Sequence, residues 1–302
     1  MKFVTYQHHD EPRTGALVDN CVIDLHNAQQ LVGGVPIPTE MTVLLHGGDA
    51  MVENCRRVVA AVQEQGDVAQ DVSYALDQVQ LLPPVLLPSK VICMGLNNME
   101  HIIEVQETVP DYPALFHKTA TALVGANRPI ILPKISNQIG IEGELAIIIG
   151  KRGKYIEEQD ALSHIAGYAC ANDVYALDIQ ARTSQWTSGC MLDTFCPLGP
   201  LVTRDEIPNP NQLQVKTYLN GKLLQTGNTR NLIFSVETIV SYISTLTTLL
   251  VGDIILTGTP ASGGIATRLA AGDIAVVDIE RLGKLINPVI SETDIMKKGK
   301  CS

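Results

Sequence analysis

Two glutamates, Glu142 and Glu144, stand two residues apart in residues 141–150, a segment otherwise apolar and rich in β-forming residues. Such a segment predicts a strand, on which side chains two positions apart point to the same face. Adjacent carboxylates repel each other and lose hydration when buried, so they require an arginine, a shared proton or a hard divalent cation. A solvent-facing strand with two exposed charges is the alternative, but the apolar run at 145–149 favours a buried strand.

A third carboxylate, Asp173, lies in a second strand-like segment that begins near residue 165. Two Glu and one Asp offer only oxygen ligands, which suit Mg²⁺ or Mn²⁺, whereas Zn²⁺ prefers His or Cys. The residue types therefore predict a magnesium or manganese site formed by Glu142, Glu144 and Asp173.

The composition restricts the class of protein. The chain has 302 residues, 45% of them hydrophobic, enough for a large domain with a small companion. Its apolar runs are too short for a membrane span and its first residues lack a signal-peptide core, so we expect a cytoplasmic protein. A net charge of −10 without a basic cluster argues against nucleic acid or membrane as a partner. Seven scattered cysteines without a CxxC motif predict no disulfide framework.

The elements that must position the carboxylates fall into two predicted domains. Residues 1–80 combine a hairpin pattern with helical periodicity at 39–65, which predicts a small N-terminal α/β domain; an interaction module is the alternative for these helices. Residues 81–302 start with a proline-rich connector and continue as short apolar runs separated by Gly, Pro and Asn. This pattern predicts a mixed or antiparallel β architecture, and hence an α+β fold class.

Two local signals are strong within the second domain. Asn220-Gly221 between two apolar segments predicts a hairpin turn. Ser235 is a good N-cap for a helix whose apolar stripe predicts an end just before Gly252.

Several motifs together resemble the fumarylacetoacetate hydrolase family between about residues 85 and 290. They occur in the family's order: Gly95-Leu-Asn-Asn-Met-Glu-His-Ile-Ile-Glu, Pro113-Ala-Leu-Phe-His-Lys, Ile141-Glu-Gly-Glu-Leu-Ala-Ile-Ile-Ile-Gly-Lys, Ala166-Gly-Tyr-Ala-Cys-Ala-Asn-Asp-Val, Asp193-Thr-Phe-Cys-Pro-Leu-Gly-Pro, Asn220-Gly and Thr257-Gly-Thr-Pro. The resemblance implies a β-roll of the type found in the family's C-terminal domain, usually dimeric, with Mg²⁺ or Mn²⁺ held by the three carboxylates. A homodimer is therefore expected.

The resemblance also implies roles for further residues. His101 and Glu104 match a family His and Glu three residues apart, with the His as catalytic base and the Glu orienting it and favouring its protonated form. A surface His on an amphipathic turn is the alternative. Lys118, Gln180 and Thr259 match substrate-binding positions, although a structural salt bridge is an equal alternative for Lys118.

Several positions depart from the family pattern. Leu177, in Tyr175-Ala-Leu-Asp178, replaces a common Arg, Cys190 replaces a common Lys, and Gly140 stands near the place of a common Asp. That Lys is thought to polarise the substrate carbonyl, and loss of such a group costs roughly 3–4 kcal/mol of transition-state stabilisation. Hydrolysis depends on it most. Cys190 has no neighbouring His, which favours an inert replacement over a nucleophile.

The implied chemistry uses a small anionic 2-oxo or β-dicarbonyl acid, whose carboxylate and ketone oxygens can chelate a cation that stabilises an enolate. We therefore predict a metal-dependent enzyme that hydrolyses a C–C bond or decarboxylates its substrate. A tautomerase, an isomerase or a specialised rearrangement enzyme of the same family ranks close behind. A non-catalytic binding scaffold is the alternative of another class, but retention of costly buried carboxylates argues against it.

Overall fold

A computed structural model describes residues 1–64, 70–262 and 268–298. Its strands are β1 Lys2–His8, β2 Glu11–Val18, β3 Cys21–Asp24, β4 Ser73–Ala75, β5 Gln80–Leu82, β6 Val91–Gly95, β7 Ala114–Lys118, β8 Leu123–Val124, β9 Ile130–Leu132, β10 Ile139–Ile149, β11 Ile165–Ala176, β12 Cys196–Pro197, β13 Leu201–Thr203, β14 Gln214–Leu219, β15 Lys222–Asn228, β16 Ile254–Leu256, β17 Ile274–Ile279 and β18 Gly283–Ser291. Its α-helices are α1 Leu25–Val32, α2 Met41–His46, α3 Gly48–Glu64, α4 Met99–Val105, α5 Leu177–Gln180, α6 Thr187–Cys190, α7 Val236–Leu246 and α8 Glu292–Lys298.

Two sheets dominate the described part of the chain. The larger has 11 strands in the order β4-β3-β2-β1-β13-β11-β10-β16-β6-β7, with β5 paired to β1. The smaller has five strands in the order β15-β14-β17-β18-β9. Pairing is mostly antiparallel, with parallel pairs such as β16 with β6. The predicted α+β class is therefore confirmed.

The N-terminal strands join the main sheet by direct hydrogen bonding. β1 pairs with β13 through Lys2 opposite Val202 and Phe3 opposite Leu201. The boundary near residue 80 stays a prediction, because this pairing makes the two segments one continuous sheet. Within the described residues, no helix has the length and apolar character to cross a membrane.

Strand β10 lies between two hydrophobic cores. Leu145, Ile147 and Ile149 belong to one buried cluster, whereas the alternating Ala146 and Ile148 belong to the other. Both faces of a strand are buried in this way when elements cover both sides of the sheet, which explains the continuous apolar run.

The smaller sheet packs closely on β10 at Gly143. A Cβ atom at Gly143 would lie 2.2 Å from Oγ1 of Thr217 on β14, so only glycine fits between the two sheets here.

Two local predictions have different outcomes. The hairpin between β14 and β15 is confirmed, with positive φ at Asn220 and Gly221. Ser235 caps α7 by accepting a hydrogen bond from the Thr238 amide. The predicted helix end near Gly252 is wrong, because the backbone is already extended at Thr247 (φ −141°, ψ 155°). Leu250, the last residue of the apolar stripe, therefore lies beyond the helix.

Candidate active site

The three predicted metal ligands converge on one face of the main sheet. Glu142 on β10 lies directly opposite Asp173 on β11, and Glu144 lies two residues further along β10. Because alternate residues of a strand share a face, the three side chains project together. One carboxylate oxygen from each lies within 4.8 Å of the others. The spacing of the sequence motifs thus becomes a compact cluster of oxygen donors.

Lys118, at the end of β7, lies behind this cluster. Its fully buried ammonium is 2.6 Å from Oδ1 of Asp173. It also donates hydrogen bonds to the carbonyl oxygens of Val174, Cys190 and Phe195 at 2.8–2.9 Å. Protein oxygens surround the ammonium, which favours the structural salt bridge over a contact with substrate.

The charges of the cluster fit a divalent cation. When all three carboxylates are ionised, the single positive charge of Lys118 leaves two negative charges uncompensated. Oδ2 of Asp173 is buried and has no hydrogen-bond partner within the described residues. Buried charges are normally paired or bound to a metal, and this all-oxygen donor set suits Mg²⁺ or Mn²⁺.

Burial makes the carboxylates hard to ionise without such a cation. Burial, and then the nearby charge of Asp173, raise the pKa of Glu142 to about 8. The same causes raise the pKa of Glu144 well above its usual range, although its carboxylate accepts a 2.7 Å hydrogen bond from the Gly258 amide. Burial also raises the pKa of Asp173, with Lys118 opposing the shift. The metal-free cluster therefore holds protons that a cation would displace.

The stability of the metal-free protein is expected to fall as pH rises from about 5 to about 8. The folded-state pKa of Glu142 is raised to about 8, so the folded protein retains a proton that the unfolded chain has already released. Each such carboxyl contributes up to about 1.4 kcal/mol per pH unit in this range. Urea unfolding at several pH values, with and without Mg²⁺, measures the trend. Metal should flatten or reverse it, and a metal-free stability that increases with pH would contradict the assignment.

The Thr257-Gly-Thr-Pro motif forms a loop beside the cluster, and Gln225 on β15 holds it. The Gln225 amide donates to Oγ1 of Thr259 and to the Pro260 carbonyl, both at 2.8 Å. Its Oε1 accepts from the Gly143 amide at 3.0 Å. Thr259 thus reaches the cavity with its hydroxyl already engaged. Sequence reasoning missed Gln225, because a single buried Gln in a hairpin strand gives no motif.

His101 and Glu104 lie on α4, whose N-cap Asn98 accepts a hydrogen bond from the Glu100 amide. The His101 Nδ1 atom is 3.6 Å from Oε2 of Glu104, beyond direct hydrogen-bond distance. Burial lowers the pKa of His101 below its usual value and outweighs the opposing effect of Glu104. The imidazole is therefore mainly neutral near pH 7 and able to accept a proton, whereas the sequence led us to expect stabilisation of the protonated form.

Ser262 fixes the position of Glu104. Its backbone amide donates to Oε2 at 2.8 Å and its hydroxyl donates to Oε1 at 3.0 Å. The loop after the Thr257-Gly-Thr-Pro motif therefore contacts α4. Sequence reasoning missed this contact, since the two residues are 158 positions apart.

A cavity of about 430 Å³ connects these groups. It is lined by the three carboxylates, His101, Gln180 and Thr259, together with Met94, Gly95, Leu96, Asn97, Val105, Glu107, Phe116, Tyr175, Leu177, Trp186 and Cys190. Four of the five predicted catalytic or metal-binding residues, and two of the three predicted substrate contacts, thus face one space. Glu104 and Lys118 stand behind its wall.

Cys190 lines the cavity as a buried thiol. Burial, followed by the charge of Asp173, raises its pKa to about 12, so it stays protonated at neutral pH. A nucleophilic cysteine needs the thiolate form, so the inert replacement is favoured.

Tyr175 explains the glycine found near the place of the family's Asp. It lies directly opposite Gly140 across β10 and β11, and a Cβ at position 140 would be 2.3 Å from its ring carbon Cζ. The tyrosine ring thus fills the space that a side chain at 140 would need.

The Gly140→Asp variant is therefore expected to lose about 1–3 kcal/mol of stability through overpacking. The double variant Gly140→Asp/Tyr175→Ser should recover most of this loss, because it removes the ring that occupies the space. Urea unfolding of both single variants and the double variant gives the coupling energy. Additive effects of the two substitutions would show that the two positions do not compete for this space.

Comparison with known proteins gives consistent matches. Residues 90–290 match the family described as Fumarylacetoacetate (FAA) hydrolase C-terminal. Oxaloacetate tautomerase FAHD2A, mitochondrial, of Homo sapiens is 39% identical over 261 residues, covering 84% of this chain and 81% of that protein. The solved fumarylacetoacetate hydrolase of Exiguobacterium antarcticum has a TM-score of 0.79 at 34% identity, over 97% of this chain and 100% of that chain.

A second solved structure contains ligands. Maleylpyruvate hydrolase from Sphingobium sp. SYK-6, in complex with manganese (II) ion and pyruvate, has a TM-score of 0.76 at 27% identity. The match covers 96% of this chain and 99% of that chain. Similar proteins thus include both tautomerases and hydrolases.

Proposed function

Because the chain belongs to the fumarylacetoacetate hydrolase family, we propose that it is a divalent-metal-dependent enzyme acting on a 2-oxo acid through its enolate. The observation that supports this most is the single cavity shared by the carboxylate cluster and His101. Within this reaction class, we propose proton transfer between carbon and oxygen, that is tautomerisation or isomerisation, as the main activity.

Each residue has a proposed role. Glu142, Glu144 and Asp173 would hold Mg²⁺ or Mn²⁺, whose charge would stabilise an enolate and bind the 2-oxo carboxylate end. His101 would take the proton from the carbon next to the ketone, since its imidazole is neutral and faces the cavity. Glu104 would orient His101, held in turn by Ser262. Gln180 and Thr259 would contact substrate oxygens.

Proton transfer is favoured over hydrolysis by the charges on the cavity wall. Within the described residues, neither Lys nor Arg lines the cavity. Hydrolysis places charge on a second carbonyl oxygen, and a fixed cation there stabilises the transition state. Proton transfer develops charge only at the oxygen next to the carboxylate cluster. The human relative named as an oxaloacetate tautomerase agrees with this choice of reaction, although the substrate in its name is a dicarboxylate.

Hydrolysis or decarboxylation remains the second candidate. The similarity to a maleylpyruvate hydrolase solved with manganese and pyruvate supports it. Both candidates use the same enolate, so they differ in whether a C–C bond is broken.

Deuterium exchange separates these possibilities. The protein is incubated in D₂O with Mg²⁺ and 2-oxobutanoate, acetylpyruvate or oxaloacetate, with Mg²⁺ alone as the control. NMR follows the protons next to the ketone, the release of acetate from acetylpyruvate and the release of pyruvate from oxaloacetate, which reports loss of carbon dioxide. Exchange without cleavage that needs both metal and protein supports the tautomerase, and release of acetate or pyruvate above the control supports the second candidate. Absence of both with metal bound would contradict the enzymatic proposal and favour a binding scaffold.

We further propose a homodimer with a small anionic 2-oxo acid as its ligand, and neither nucleic acid nor membrane as a partner. A cytoplasmic location stays a prediction, since the human relative is named as mitochondrial.

A further inference from the structure

We propose that the cavity selects 2-oxo acids that carry a single carboxylate and an uncharged apolar or aromatic tail, and that it disfavours dicarboxylates. The inference rests on the proposed function and specifies its substrate class. It follows from what stands on the cavity wall away from the carboxylate cluster.

No positive side chain is available there for a second substrate carboxylate. The described wall residues include neither Lys nor Arg. The nearest buried cation, Lys118, has its ammonium surrounded by Asp173 and three carbonyl oxygens. The mainly neutral His101 is committed to the reacting carbon, and the exposed Glu107 adds a negative charge to the wall.

Apolar side chains form much of this wall, beside the polar but uncharged Asn97, Tyr175 and Gln180. Phe116 and Trp186 pack edge to face, with ring centroids 5.8 Å apart. The Trp186 ring lies over Gly95 at the end of β6, where a Cβ would be only 2.0 Å from it. Leu177 exposes 51% of its surface and also lines the cavity. An apolar or aromatic group is the complementary partner for this part of the surface.

The two kinds of tail should differ clearly in affinity. An apolar tail gains from leaving water, whereas a carboxylate loses hydration without a charged partner. We expect the dissociation constant of the ligand with the uncharged tail to be at least about tenfold lower. The free-energy difference behind a tenfold ratio is small compared with the cost of desolvating an unpaired carboxylate.

Two ligands of nearly equal shape test the inference. 5-Methyl-2-oxohexanoate and 2-oxoglutarate share the 2-oxo acid end and differ in an isopropyl group against a carboxylate. Trp186 is the only tryptophan of the chain, so its fluorescence reports on ligands in the cavity. Titrations in the presence of Mn²⁺, repeated by calorimetry, give both dissociation constants, and oxalate serves as a ligand for the metal end alone.

Two variants that add a cation identify the cause of the preference. Leu177→Arg and Cys190→Lys should each reduce the preference about tenfold, by pairing with the 2-oxoglutarate tail. Leu177→Met and Cys190→Met change shape without charge and should keep the preference. Leu177 is half exposed, so its arginine variant is expected to fold even where the buried Cys190→Lys does not.

The outcomes separate the two levels of proposal. Tighter binding of 5-methyl-2-oxohexanoate that at least one folded cationic variant reduces supports the inference. Three results would overturn the inference and leave the proposed function intact. The first is equal or tighter binding of 2-oxoglutarate by the wild-type protein, and the second is failure of both extended acids to bind while oxalate binds. The third is a preference that neither added cation changes. Failure of Mn²⁺ and oxalate to bind would instead overturn the proposed function.

Discussion

Glu144→Gln should bind Mg²⁺ or Mn²⁺ at least about 10³-fold more weakly than the wild-type protein and lose its metal-dependent activity. Glu144 is one of three carboxylates whose oxygens lie within 4.8 Å of one another. Removing one negative charge beside a cation costs on the order of 4 kcal/mol at a distance of about 4 Å in a partly screened site. Calorimetric titration of the metal-free protein, with and without oxalate, measures the loss.

The same substitution should stabilise the metal-free protein. Burial and like-charge repulsion raise the pKa of Glu144 well above its usual range, and a neutral amide experiences neither. The glutamine oxygen can still accept the hydrogen bond from the Gly258 amide. Glu64→Gln, which removes an equal charge from the exposed end of α3, is the matched control. Unchanged metal affinity in Glu144→Gln would contradict the site.

His101→Asn should lower the rate of proton exchange about 10²- to 10⁴-fold, the usual contribution of a positioned acid or base. Metal affinity should stay close to that of the wild-type protein, since His101 is not among the three proposed ligands. The rate of wild-type exchange should reach its plateau at a lower pH than an imidazole of ordinary pKa would allow, because burial lowers the pKa of His101 and keeps the base form available. NMR-detected exchange at several pH values measures both properties.

His46→Asn is the control for this experiment, because it changes an exposed histidine at the end of α2. Glu104→Gln should reduce the rate less than His101→Asn, since Glu104 acts through the imidazole. A His101→Asn variant with full exchange would assign the base to another group. A variant that also loses its metal would show that the substitution damages the whole site.

The carboxylate cluster could be predicted because its signal is local. The two-residue periodicity of a strand predicts that Glu142 and Glu144 share a face. Asp173 lies in a second apolar segment, which pairs with the first. The resemblance supplied His101 and Glu104, whose spacing alone also fits a surface turn. Fold class followed from the regular alternation of short strands and turns.

The supporting contacts could not be predicted, since they join distant parts of the chain. Gln225 contacts Gly143, and Ser262 contacts Glu104, without any repeated spacing that a sequence pattern could reveal. The pKa of His101 depends on its burial, which is a tertiary property. The prediction of where α7 ends was wrong because the apolar stripe continues after the backbone becomes extended.

The position of β10 between two hydrophobic cores limits which ion the site can accept. Residues 145–149, which follow Glu144 on the same strand, pack in both cores and should hold the backbone that carries Glu142 and Glu144 in place. Ca²⁺ needs longer bonds and more ligands than Mg²⁺, so a cradle of fixed width should discriminate by ionic radius. We expect Ca²⁺ to compete poorly against Mn²⁺ in a fluorescence titration, and equal competition would indicate a cradle that widens. Poor competition by Ca²⁺ would mean that the backbone of β10 sets the size of the ion that the site accepts.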